Sequence, residues 1–264
     1  MASPPGAHGQ VAIYMPIGVA VEPLLYNLTL VTAGTLLGVV MGLFGRIGDK
    51  AVEFGLGFTG GVMLVASFTS LIIPGVEGWG FWQVGVGIVA GVALIHLLNA
   101  AVPHEHLIKG YEGPAAMIGK LRKSWLIAMA ITIHNIPEGL AVGVATAYSA
   151  ELGFATALAI AIQDVPEGVA VVMPLLRFSL RTSIAVGVLS AVAEGASVLA
   201  AWLGASALPA FLGVAMGLAG GAMIYVTVAE LFPEIYAEGK DKKQPTFGFV
   251  TGTLAMLYLD TFYS

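Results

Sequence analysis

His134-Asn135-Ile136-Pro137-Glu138-Gly139-Leu140-Ala141-Val142 is followed, from residue 163, by Gln163-Asp164-Val165-Pro166-Glu167-Gly168-Val169-Ala170-Val171. The two stretches are near-copies of one another, and each sets ligand-type side chains in otherwise apolar sequence. A charge at the centre of a bilayer costs ~2.5–3.5 kcal/mol on insertion scales, so such residues inside a spanning segment point to function. Two segments carrying the same costly pattern point to one shared site.

The composition around them is that of an integral membrane protein. Of 264 residues, 58% are hydrophobic and 10% charged, with a mean hydropathy of +0.90; a soluble domain is about a quarter charged. The formal net charge of −5 supplies no basic footprint, which argues against a nucleic-acid partner and leaves the lipid bilayer as the expected surroundings. The absence of cysteine excludes disulfides, thiolate metal sites and cysteine nucleophiles. One short apolar run, Val11 to Val21, opens the chain without a basic stretch before it. It reads as a polar tail with an interfacial segment, not as a cleaved signal. His8 belongs to that tail.

A spanning helix needs about 20 apolar residues. Eight such segments can be placed, at about 24–45, 52–73, 81–102, 125–148, 152–176, 182–203, 208–236 and 246–263. The basic residues fall after the first span (Arg46, Lys50), the third (Lys109, Lys120, Arg122, Lys123), the fifth (Arg177, Arg181) and the seventh (Lys240, Lys242, Lys243). These are all eleven Lys and Arg, and with eight spans they share one side. By the positive-inside rule that side is cytoplasmic, so both termini face outward from a multi-pass cell-membrane protein. The expected fold is all-α, eight transmembrane helices in one compact bundle. Its longest loop, about 103–124, is cytoplasmic and carries Pro103-His104-Glu105-His106. Glycines at Gly34, Gly38 and Gly42 and at Gly213, Gly217 and Gly221 have the spacing of close helix contacts.

Within the duplicated stretches, positions i, i+3 and i+4 share a helical face. His134, Asn135 and Glu138 therefore align, as do Gln163, Asp164 and Glu167. Pro137 and Pro166 each remove a backbone donor and obstruct the carbonyl four residues earlier. Glu194 in the sixth span adds a fourth carboxylate, and Met63 in the second offers a thioether, although packing alone would account for Met63. Four carboxylates cannot remain ionised together in a low-dielectric site without cations. Oxygen ligands with one imidazole suit borderline divalent ions such as Zn²⁺, Fe²⁺ or Mn²⁺. An intramembrane metalloenzyme is the first competing reading, but its His-Glu-x-x-His signature is absent. The second is a proton- or sodium-coupled carrier of an organic solute.

At these residues the chain resembles the ZIP (Zrt/Irt-like) family of divalent-metal transporters, in particular its bacterial members. That resemblance implies a non-enzymatic importer of Zn²⁺, with Cd²⁺, Fe²⁺ and Mn²⁺ as further cargo. It implies a two-metal centre between the fourth and fifth helices, with His134, Glu138, Gln163, Glu167 and Met63 around one ion. Asn135, Glu138, Asp164, Glu167 and Glu194 would surround the other. Many relatives have histidine where this chain has Gln163, and a His-Glu pair where it has Ala229-Glu230, which makes Glu230 a candidate pathway residue. The resemblance also implies a 3+2+3 helix arrangement, an elevator-like movement, homodimers in many members, and metal capture by loop residues such as His104, Glu105 and His106. A solvated loop with incidental histidines is the alternative for those three. His96, near the end of the third span, either lines the exit or bonds to a neighbour.

Overall fold

In hydrocarbon a backbone must satisfy its own N–H and C=O groups, so apolar runs of this length fold as helices. A computed structural model describes residues 17–44, 47–106, 110–119, 123–237 and 241–263. His8 and most of the Val11 to Val21 run lie outside the described residues. The long helices are α1 (Ile17–Leu43), α2 (Asp49–Trp79), α3 (Phe81–Ala101), α4 (Lys123–Tyr148), α5 (Ala150–Leu175), α6 (Leu180–Ala207), α7 (Pro209–Ile235) and α8 (Lys243–Tyr263). Six of them, α1 (over Val21–Leu43), α2, α3, α5, α6 and α7, are long and apolar enough to cross a membrane by length and composition. α4 and α8, of 26 and 21 residues, fall outside that set. Large apolar side chains such as Trp82, Val89, Leu97, Leu203 and Leu254 stand exposed around the exterior, a surface suited to lipid.

Two helices are longer than their apolar runs suggest. α1 begins at Ile17 and carries Pro23 inside, and α2 runs on to Trp79. Ser149 alone separates α4 from α5, and its hydroxyl accepts from the Leu152 amide at 3.0 Å, capping the second helix of the pair. The loop between α3 and α4 departs from the all-α expectation. It forms an antiparallel hairpin of β1 (His104–His106) and β2 (Gly110–Glu112), and β1 packs against α4.

The dominant contacts join α1 to α5, α4 to α6, α2 to α8 and α3 to α7. Exchanging the first three helices with the last three, and α4 with α5, maps this set of pairs onto itself. Glycine backbone lies at the contact in all four pairs, with two glycines on each helix in two of them. A Cβ at Gly57 or Gly61 on α2 would strike backbone of Pro245 or Phe249 on α8, and one at Gly248 or Gly252 would strike Phe54 or Phe58. On the other pair, Gly87 and Gly91 of α3 and Gly217 and Gly221 of α7 lie against each other's backbones in the same manner. Small residues four apart let helices associate where lipid supplies no hydrophobic drive.

Both α2 and α7 contain a π-helical segment, Ser67–Ile72 and Val226–Leu231, followed closely by Pro74 and Pro233. A π turn holds an extra residue, which retards the helical phase by about 100°. In unbroken α-helix, Glu230 would point about 180° away from Gly221, nine residues earlier. The segment instead turns Glu230 toward the helices that face the glycines, where it meets Asn99 of α3. The equivalent step from Gly61 brings Ser70 of α2 onto Asp260 of α8, with Oγ to Oδ1 at 3.3 Å.

Gly91→Leu is expected to destabilise the α3–α7 pair by about 1–3 kcal/mol through overpacking, lowering the melting midpoint of the detergent-solubilised protein. Gly85→Leu, where the nearest atom to a new Cβ is a Phe81 ring carbon at 4.0 Å, should leave that midpoint unchanged.

Candidate metal centre

α4 and α5 stay helical through Pro137 and Pro166, so the polar residues around each proline remain on a common face. α6 packs on α4, and a Cβ at Gly139 would strike the Glu194 carbonyl. That bare backbone beside Glu138 is what admits Glu194 to the same place.

The structure brings the carboxylates together. One oxygen from each of Glu138, Asp164 and Glu167 lies within 4.8 Å of the others. The carboxyl groups meet in pairs, Glu138 with Glu167 and Asp164 with Glu194. Gln163 turns its amide toward this cluster and donates Nε2–H to Glu138 Oε1 at 2.5 Å. Glu138, Gln163 and Glu194 are wholly buried, and Asp164 and Asn135 nearly so. A small cavity beside Asp164 and Glu167 is lined also by Thr35, Asn135 and Ser190. Several buried oxygens have no hydrogen-bond donor: Glu138 Oε2, Gln163 Oε1, both Asp164 oxygens, Asn135 Oδ1, Glu167 Oε2 and Glu194 Oε1. Acceptors converging without donors are the complement of a cation, because burial leaves each one uncompensated.

His134 is held from the far side. Its Nε2 lies 2.6 Å from Glu230 Oε2, while Asn99 Nδ2 donates to Glu230 Oε1 at 2.5 Å. A carboxylate at Nε2 favours a proton on that nitrogen. A carboxylate behind an imidazole is the usual support of a metal-ligating histidine. His134 is thus bonded to Glu230, and Glu167 of the cluster is near enough to act on it electrostatically.

The remaining sequence candidates are placed differently. Met63 is buried in the main apolar core on α2. Thr59, one turn before it, donates to the Gln163 carbonyl at 3.2 Å, so this face of α2 rests on α5. His96 is exposed on the bundle's exterior, its Nδ1 3.3 Å from the Tyr225 hydroxyl. His104 corrects the picture of a solvated loop: it is fully buried, with Nδ1 2.8 Å from the Val102 carbonyl and Nε2 3.6 Å from Glu112 Oε2. The cause is the hairpin, which lays β1 on α4. Glu105 pairs with Tyr111 in the strand register and His106 with Gly110.

Sequence reasoning passed over Asn99, Thr35 and Ser190. Asn99 is a polar side chain within an apolar span, which was a usable signal. Thr35 and Ser190 were not legible, since hydroxyls in membrane helices commonly bond to the carbonyl one turn back.

Comparison with known proteins then bears on what such a cluster is for. The family described as ZIP zinc transporter matches residues 103–260. The zinc transporter ZIPB of Bordetella bronchiseptica is 38% identical over 244 residues, covering 87% of this chain and 77% of that protein. The zinc transporter GufA of Myxococcus xanthus is 35% identical over 203 residues, covering 72% and 79% respectively. The zinc transporter ZupT of an Enterobacter species is 32% identical over 247 residues, covering 89% and 94%.

Glu230→Ala is expected to weaken metal binding at His134 about ten- to a hundredfold by removing the support of the imidazole. In a His134→Ala background the same substitution should have little effect. Titration calorimetry on the four proteins measures that coupling.

Proposed function

The chain belongs to the ZIP family of zinc transporters, and from that premise we propose that it imports divalent transition-metal ions into the cytosol. Zn²⁺ is the principal cargo, with Cd²⁺, Fe²⁺ and Mn²⁺ as further cargo. The observation that supports this most is the convergence of donor-less buried oxygens from α4, α5 and α6 on one place. Two ions bind there. His134, Glu138, Gln163, Glu167 and Met63 hold the first, and Asn135, Glu138, Asp164, Glu167 and Glu194 the second. Gln163 serves twice, its Nε2 steadying Glu138 while its buried Oε1 is left for the ion.

In this reading all eight long helices cross the bilayer, with both termini outside and the loop at about 103–124 in the cytoplasm. The even charge segregation supports it. So does the exchange symmetry of the helix pairs, which suits two triplets arranged around α4 and α5. Movement is of the elevator type. α1, α4, α5 and α6 contact one another and contribute most of the ligands, so they travel together. The glycine-zipped pairs α2–α8 and α3–α7 form the frame. Two positive charges moving inward through 100 mV gain ~4.6 kcal/mol, at ~2.3 per charge. A membrane potential alone can therefore drive uptake.

Glu167→Ala, which removes a ligand shared by both ions, is expected to abolish metal uptake into proteoliposomes carrying a metal-sensing dye. Undiminished uptake would overturn the central role given to the site. Gln163→His exchanges a neutral amide for a ligand that must be deprotonated to bind. Near its ordinary pKa of about 6.5 a histidine gains a proton as pH falls. Uptake by this variant should be at least as tight as wild type at pH 8 and should fall more steeply below pH 6.5.

A further inference from the structure

α1 enters the site through one side chain. Gly34 and Gly38 set its backbone directly on Ala161, Asp164 and Val165 of α5, and Gly168 of α5 lies in turn against Thr35 and Gly38. With both helices bare at this level, Thr35 is carried to the edge of the cavity that Asn135, Asp164, Glu167 and Ser190 also line. Its hydroxyl has a single proton and two acceptors within range: the Val31 carbonyl at 3.2 Å and Glu194 Oε2 at 2.5 Å. Glu194 is the nearer of the two acceptors, and the hydroxyl donates to it. Both residues are buried, and Oε1 of Glu194 has no donor. Asn135 Oδ1, also buried and lining the cavity, lacks one as well.

We propose that Thr35 is a positioning residue for the second ion: its hydroxyl fixes the Glu194 carboxylate by one oxygen and leaves the other free for the metal beside Asp164. The proposal rests on the two-ion reading above. Glu194 is the only carboxylate of the cluster that comes from α6; Asp164 is the carboxyl it meets there, and Thr35 is the hydroxyl that donates to it. Without the hydroxyl, Glu194 must find its rotamer unaided beside another carboxyl group. Affinity for the second ion then falls, while the first ion, on His134 and Gln163, is unaffected.

Titration calorimetry of the purified full-length protein with Zn²⁺, combined with ion counting by mass spectrometry, tests this. Wild type should bind two ions. Thr35→Val, nearly the same in shape, should keep the first affinity and weaken the second about ten- to a hundredfold, the loss typical of a removed outer-sphere support. Thr35→Ser should restore wild-type binding. Should the valine variant fold poorly, Thr35→Ala compared with Thr35→Ser isolates the hydroxyl equally well. Unchanged second-ion affinity in both Val and Ala variants would overturn the role of Thr35 while leaving two ions in place. Equal loss in the Ser variant would assign the effect to packing and overturn it too. A wild-type protein that binds one ion only would overturn the two-ion reading itself.

Discussion

Glu138, Asp164, Glu167 and Glu194 come from three helices and meet inside an apolar bundle, where like charges repel and every unpaired oxygen is uncompensated. The rest of the architecture can be read as the means of enforcing that meeting. Bare glycine backbone at Gly139 and Gly168 removes the bulk that would keep α6 and α1 away. Pro137 and Pro166 sit inside continuous helices, so the polar faces stay in register. A cluster that repels itself needs either protons or cations, and the cargo of a zinc transporter supplies the latter. In the proposed reading, the ions that the protein moves are also what the cluster requires for electrostatic balance.

Support for the cluster comes from both of its sides. Gln163 donates within it, Thr35 holds Glu194 at one edge, and the Asn99–Glu230–His134 chain reaches it from α3 and α7. The last of these crosses between two groups of helices: His134 belongs with α1, α4, α5 and α6, and Glu230 with the glycine-zipped pairs. Thr59 bonding to the Gln163 carbonyl crosses the same boundary from α2. Polar ties on an otherwise apolar seam are specific in position and few in number. They fix where the two groups sit against each other.

Much of this was legible in the amino-acid sequence, for identifiable reasons. The duplicated Pro-Glu-Gly stretches stood out because intramembrane carboxylates are costly, and the helices stood out because hydropathy is a strong signal over twenty residues. Glycine stripes at Gly34, Gly38 and Gly42 were visible as spacing, but which backbone each one met depends on tertiary contacts. Thr35 was hidden because a hydroxyl in a helix usually bonds locally. The burial of His104 was hidden because composition marks a loop without showing that a short hairpin folds it inward. The π-helical segments had no signature at all: Ser67–Ile72 and Val226–Leu231 read as ordinary apolar helix, since one extra residue per turn leaves composition unchanged.

Those two segments constrain the chain in a way that composition does not. Each stores a phase correction of about 100°, and everything downstream in α2 and α7 inherits it. A one-residue deletion ahead of either segment, with its π turn kept, would still leave a perfectly apolar span. It would also turn Glu230 or Ser70 by about 100° relative to the glycine face and so off its partner. In these helices the count of residues is therefore as much a part of the design as their identity, and a length change that would be harmless in a loop becomes a misalignment of the whole site.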